Sequence, residues 1–182
     1  MANNIGYCTT NKLSSTHIAK VSVPSGGLVA GNIVLLNDLD NTITNNFEVY
    51  SATKPLTANL EQTHFAIIQN GGFETMSDGR RPEGQPDFTQ YSYAEGEVAT
   101  AVFIDPHLTF EVGCTTVTGG TAGSYVSDIG KYIIPADNTY VGAVSASNAD
   151  IGNSLKIVAV KYLPLGGNFG LDYAQTYVCV AQ

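Results

Sequence analysis

The chain has 182 residues, 43% of them hydrophobic, and a formal net charge of -8, long enough for one domain or two small ones with a sizeable core. Only 13% of residues are charged, about half the usual share, and polarity comes instead from Thr, Ser, Asn and Gly. The negative balance argues against nucleic acid as a partner, because phosphate binding needs clustered cations, whereas the six lysines are scattered from Lys12 to Lys161 and the two arginines, Arg80 and Arg81, sit among acids. No apolar run approaches the length of a membrane span, and a negative surface repels membranes.

The three cysteines, Cys8, Cys114 and Cys179, are odd in number and lack CxxC spacing, so they are read as reduced thiols. The opening residues, MANNIGYCTTNK, show neither a charged leader nor an apolar core, and assembly in a cytoplasm is expected.

Residues 1–16 are polar and aperiodic and are read as an arm, against the alternative of a frayed terminus. From residue 17 the pattern is strand, turn, strand: 17–23, a Pro24-Ser25-Gly26-Gly27 turn, a strand over 28–36, a loop over 37–41, and a strand over 47–52. Each break has a cause, since Gly supplies positive φ, Pro fixes φ, and Asn or Asp side chains bond nearby backbone. A short helix is predicted after Pro55, with Asn59 as cap and Gln62 reaching back in a capping box. Residues 64–69 (HFAIIQ) form the next predicted strand.

Residues 77–87, SDGRRPEGQPD, make a polar surface loop. Residues 96–112, GEVATAVFIDPHLTFEV, follow as two apolar runs hinged at Asp105-Pro106 and are read as a core hairpin. Both faces of its first strand are apolar and expected to be covered. The Gly-rich stretch 118–123 is either a linker or a long loop, and further strands are predicted over 131–134, 140–145, 154–162 and 173–181. The fold class is therefore all-β: a compact barrel or sandwich of short strands over 17–113, with 114–182 either a second, smaller β-unit or a continuation of the same domain.

Catalytic chemistry finds no frame. Ser124 and Ser154 lack the glycines of a nucleophile elbow, and around Gly130-Lys131 a phosphate-binding loop fails because Tyr125 and Tyr132 occupy its Gly and Ser/Thr positions. His17, His64 and His107 have no metal-ligand spacing. Pairs of carboxylates could be drawn from Asp87, Glu95, Glu97, Asp105 and Glu111, as from any chain this acidic. The acidic turns 37–41 and 137–138 read more simply as turns than as calcium loops. No enzyme activity, cofactor or metal is expected.

Arg80 and Arg81 concentrate every guanidinium in one exposed loop, with Phe88 and Tyr91 directly after it. Arg and aromatic residues are enriched at interface centres, so the loop is a docking candidate, against the alternative of an internally ion-paired loop.

Several stretches resemble auxiliary head proteins of tailed bacteriophages, the decoration or cement proteins that bind the capsid exterior. The resemblance rests on residues 29–36 (VAGNIVLL), Phe47-Glu48-Val49-Tyr50, Lys54-Pro55-Leu56-Thr57, and Glu95-Gly96-Glu97 leading into the 96–112 block. It covers about the first 112 residues, and the chain is longer than the small trimeric cement proteins. The resemblance implies a small β-barrel or sandwich, often a homo-oligomer, whose N-terminal arm adds to the major capsid protein. Asn3, Asn4, Ile5, Tyr7, Thr9 and Thr10 of the arm, with Arg80, Arg81, Phe88 and Tyr91, are the expected partner interface. The expected role is a virion structural protein on the capsid exterior that bridges neighbouring capsid subunits, and the alternative is an adhesin or carbohydrate-binding module of a tail, fibre or head appendage.

Overall fold

The computed structural model describes residues 8–11, 17–40, 48–61, 64–70, 92–148, 151–164 and 173–182. Among the described residues thirteen strands carry the fold: β1 (Cys8–Asn11), β2 (Ile18–Ser22), β3 (Leu28–Val29), β4 (Ile33–Leu35), β5 (Val49–Ser51), β6 (Phe65–Ile68), β7 (Ser92–Tyr93), β8 (Val98–Phe103), β9 (Thr109–Gly113), β10 (Tyr132–Pro135), β11 (Gly142–Ser145), β12 (Leu155–Pro164) and β13 (Tyr173–Ala181). The all-β class holds.

Five strands form one sheet in the order β4-β6-β8-β2-β5. Its ends meet: Leu35 and Thr53 exchange backbone hydrogen bonds of 2.9 and 3.1 Å, Ser51 N–H donates to the Asp38 carbonyl, and Asp40 N–H donates to the Val49 carbonyl. These isolated bridges, at Leu35–Thr53 and Leu39–Tyr50, curl the sheet into a small barrel whose end strands approach each other. Alternation sorts its residues. Ala19, Val21, Val34, Leu36, Ala66, Ile68, Ala99 and Ala101 fill the interior, and four alanines suit the narrow lumen that five strands enclose. Residues of opposite parity, Ile33, Leu35, Phe65, Ile67 and Val102, form the outer wall.

The second sheet has six strands, β1-β9-β13-β12-β10-β11, antiparallel throughout. Its inner face, with Cys8, Phe110, Val112, Ile133, Leu155, Ile157, Tyr177 and Cys179, packs on the barrel's outer wall to make one core. Strands β10 to β13 do not form a sheet of their own, since β13 pairs with β9 and through it with β1. The segment after Gly113 and the segment before it share this sheet.

Four expectations are corrected. The 96–112 block is no hairpin, because β8 lies in the barrel and β9 in the facing sheet. The ladder bonds on either side of Pro106 diverge: Ile104 N–H donates to Phe65, whereas His107 N–H and Leu108 C=O pair with Ala181. The single strand predicted over 28–36 is two, β3 and β4, broken where Gly31 adopts φ 95°; this left-handed turn suits glycine. The helix after Pro55 is only a 3₁₀ turn, Thr57–Asn59, with Leu56 at its cap position and no side-chain capping bond. Asn59 ends that turn instead of opening a helix, and Gln62 lies outside the described residues. Within the expected arm, Cys8–Asn11 is an ordered edge strand paired with β9. Cys8 and Thr10 alternate with Thr9, and burial of the Cys8 side chain in the core holds the strand in register.

Phe65 is fully buried in the shared layer, whereas Val98 on the same barrel is 41% exposed. Truncating Phe65 to Ala is expected to cost about 3–5 kcal/mol through lost burial and the cavity left behind. Val98→Ala should stay within about 0.5 kcal/mol. Urea unfolding of both variants, read at constant m-value, checks the difference.

Candidate functional site

Of the ten residues expected at the interface, Asn3, Asn4, Ile5, Tyr7, Arg80, Arg81, Phe88 and Tyr91 lie outside the described residues. Thr9 and Thr10 lie in β1, half-buried, opposite Glu111 and Phe110. Thr10 Oγ1 is 3.3 Å from Gln69 Oε1, and Gln69 Nε2 lies 3.1 Å from Cys8 Sγ. Asn70 clamps the same strand, its Oδ1 accepting from Cys8 N–H and its own N–H donating to the Cys8 carbonyl. β1 is thus tied both to β9 and to the end of β6, and Thr10 serves this anchoring. On the outer face of the sheet, Glu111 accepts from Thr176 Oγ1 at 2.8 Å and from Lys161 Nζ at 3.3 Å.

The strongest electrostatic feature is a residue the sequence reading missed. Asp128 is fully buried at the end of a 3₁₀ turn, Tyr125–Asp128. Its Oδ1 accepts from Lys131 Nζ at 2.7 Å and Thr121 Oγ1 at 2.8 Å, and its Oδ2 accepts from Thr121 N–H at 2.8 Å and Tyr177 O–H at 2.6 Å. Burial by itself would raise the carboxyl's pKa, but the bonds from Lys131, Tyr177 and Thr121 outweigh it and hold the group well below the ordinary carboxylate range. Tyr177 is driven in the opposite direction, first by burial and then by its bond to the carboxylate. Gly120 is required beside them, since a Cβ there would stand 2.7 Å from Tyr177 Oη. The cluster clasps the Gly-rich loop to β13, which identifies 118–123 as part of an anchored loop. Only the Asp128/Lys131 spacing hinted at it in the sequence.

The three cysteines are buried and free. Burial raises Cys8 far above the usual thiol range, against a hydrogen bond from Gln69. It pushes Cys114 up to about 12, assisted by the Asp128 charge. Cys179 is raised by burial and by the neighbouring Cys8 and Cys114. Such thiols are poor nucleophiles, and they fill the core as small apolar groups.

The clearest concavity lies at the seam of barrel and sheet, a cleft of about 320 Å³ lined by the 25–27 turn, Asn32, Lys54, Thr139 and Tyr140. The acidic turns have structural tasks here and in the barrel: Asp137 Oδ1 accepts from Thr57 N–H at 2.8 Å, and Asp38 and Asp40 join the barrel closure. His17 lies 3.7 Å from Asp105. Among the described residues, no group of three or more His, Cys, Asp or Glu side chains is placed to hold a metal ion, and no helix is long and apolar enough to cross a membrane. In comparisons with known proteins, no family model, curated protein or solved structure matches the chain.

Because Asp128 has a lowered pKa in the folded chain, its contribution to stability is complete above the unfolded carboxyl value, about 3.9, and is lost as pH falls through that value toward the lower folded one. Asp128→Asn is expected to cost about 2–3 kcal/mol at pH 7, by loss of charge-assisted hydrogen bonds. The variant's stability should fall less steeply than wild type between about pH 4 and pH 2. Denaturant midpoints measured across that range test both statements. A thiol reagent at neutral pH should label none of Cys8, Cys114 and Cys179 in the native chain and all three after unfolding.

Proposed function

We propose that this chain is a non-enzymatic virion structural protein that decorates a bacteriophage capsid and bridges neighbouring capsid subunits. The observation that carries the reading is the place of β1. It forms the rim of the six-stranded sheet, so residues 1–7 join the domain at a sheet edge already clamped by Asn70. A segment rooted there is suited to add to a neighbouring subunit while the domain behind it stays rigid. The groups with strongly shifted acidity support the same reading, because Cys8, Cys114, Cys179, Asp128 and Tyr177 are all committed to the core or the loop clasp.

In this reading the major capsid protein is the partner and the capsid exterior the location. Many copies bind additively, and each contact must break before the shell ruptures. Arg80, Arg81, Phe88 and Tyr91 supply the second contact. A rival reading, an adhesin or carbohydrate-binding module of a tail, fibre or head appendage, draws support from the hydroxyl-lined cleft beside Tyr140; binding of the isolated chain on a glycan array would favour it.

Purified virions should contain the chain in fixed proportion to the major capsid protein. Deleting residues 1–7, while keeping Cys8 and β1, should leave the melting temperature unchanged and abolish co-sedimentation with capsids. Capsid binding that survives both this deletion and the paired Arg80→Ala, Arg81→Ala change would refute the assigned contacts.

A further inference from the structure

The seam cleft is built from three separate parts of the chain. The 25–27 turn and Asn32 come from the connections around β3, Lys54 follows β5, and Tyr140 lies between β10 and β11. Hydrogen bonds fix these segments together. Asn138 N–H donates to the Pro55 carbonyl at 2.7 Å, Ile33 N–H donates to the Tyr140 carbonyl at 2.7 Å, and Tyr140 O–H donates to the Ala52 carbonyl at 3.2 Å. The walls therefore belong to the rigid core and need no closing movement.

The hydrogen-bonding capacity left over in this cleft is unbalanced. Asn32 is only 7% exposed, and its Oδ1 accepts the Val29 N–H at 2.8 Å, which orients the amide. Among the described residues nothing accepts from its Nδ2, so two N–H donors are held at the wall of the cleft. Buried donors without partners are costly and uncommon. Lys54 has no carboxylate partner among the described residues, and its Nζ stands 5.7 Å from the centre of the Tyr140 ring. Asp137, the acid on the same loop, is committed to Thr57 N–H. Thr139 Oγ1 accepts the Val141 N–H at 3.2 Å, which leaves its proton to donate. A positive charge, a buried amide donor and a hydroxyl donor together call for an anionic acceptor. The volume, about 320 Å³, is at the small end of ligand sites and suits a single sugar ring.

We propose that this cleft binds a small organic carboxylate of monosaccharide size, of the uronic acid type. The carboxylate accepts from Lys54 Nζ and Asn32 Nδ2, and the ring hydroxyls meet Thr139 and the backbone of the glycine turn. The proposal is independent of capsid attachment, because the isolated chain is the binder.

The test is titration of the full chain with glucuronate, glucose, acetate and a blocked glutamate (N-acetyl-glutamate amide), followed by calorimetry and by amide NMR signals. Wild type is compared with Lys54→Gln, an exposed position, and with Asn32→Asp, which keeps the acceptor for Val29 and replaces the donor by a carboxylate oxygen. Melting temperatures verify that both variants fold. Glucuronate is expected to bind saturably at about millimolar concentration or below and to shift the Asn32 side-chain amide signals. Glucose, acetate and the blocked glutamate should each bind about tenfold more weakly, and Lys54→Gln should weaken glucuronate about tenfold. Absence of saturable binding would overturn the proposal. So would equal affinity for glucose or acetate, tighter binding of the blocked glutamate, or glucuronate affinity unchanged in Lys54→Gln.

Discussion

Phe65, Ile67, Leu35 and Val102 leave the outer wall of the barrel and meet Phe110, Val112, Ile157 and Tyr177 of the facing sheet in one continuous apolar layer. Because strand side chains alternate, the same strands that supply this layer also supply the lumen of the barrel, through Val34, Ala66, Ile68 and Ala101. Strands β4 and β6 are thus buried on both faces, as is β8 at Ala101 and Val102 although Val98 at its start is exposed, and a slip of one residue would exchange two apolar sets. Phe65 and Val102 lie outward where their neighbours Ala66 and Ala101 lie inward, so a slip of β6 or β8 would crowd the lumen and hollow the shared layer there. That size difference fixes the register, and the register fixes everything placed between the two sheets.

The polar structure follows from this layer. Asp128 remains charged in a fully buried position because Lys131 pairs with it, β13 presents Tyr177 to it and the 120–121 loop supplies Thr121. The seam cleft lies where a connection of the barrel, at Lys54 between β5 and β6, meets a connection of the six-stranded sheet, at Tyr140 between β10 and β11. Its geometry depends on β4 as well, since Ile33 is both a member of the shared layer and the donor to the Tyr140 carbonyl. Local polar sites here are consequences of apolar register.

Strand positions were legible in the sequence wherever alternation met turn residues, as at Ile18–Ser22 and Tyr173–Ala181. Pairing was not. Residues 104–108 are as compatible with a hairpin loop as with a crossover, and the outcome depends on the distant partners Phe65 and Ala181. The break at Gly31 did carry a local signal, the Gly31-Asn32 pair, which was submerged in an apolar run. Asp128 and Asn32 looked like ordinary turn residues because their burial comes from strands remote in sequence. Of the expected interface, only Thr9 and Thr10 fall in described strands, and the anchoring of β1 to Asn70 had no sequence signature, since it joins segments 62 positions apart.

The low charge content acquires a physical reason from this arrangement. A chain with strands buried on both faces has few positions where Lys or Glu can reach water, and the described ion pairs are confined to the sheet's outer face, the loop clasp and the connection at Asp105. Thr, Ser and Asn take the remaining half-buried positions, where their bonds to backbone cost less desolvation than a charge would. The same composition favours contact surfaces that lose water cheaply. Among the described residues Lys54 faces the Tyr140 ring and no carboxylate, which in a chain of net charge -8 sets the seam apart from the other cation sites, Lys131 and Lys161, that meet carboxylates directly.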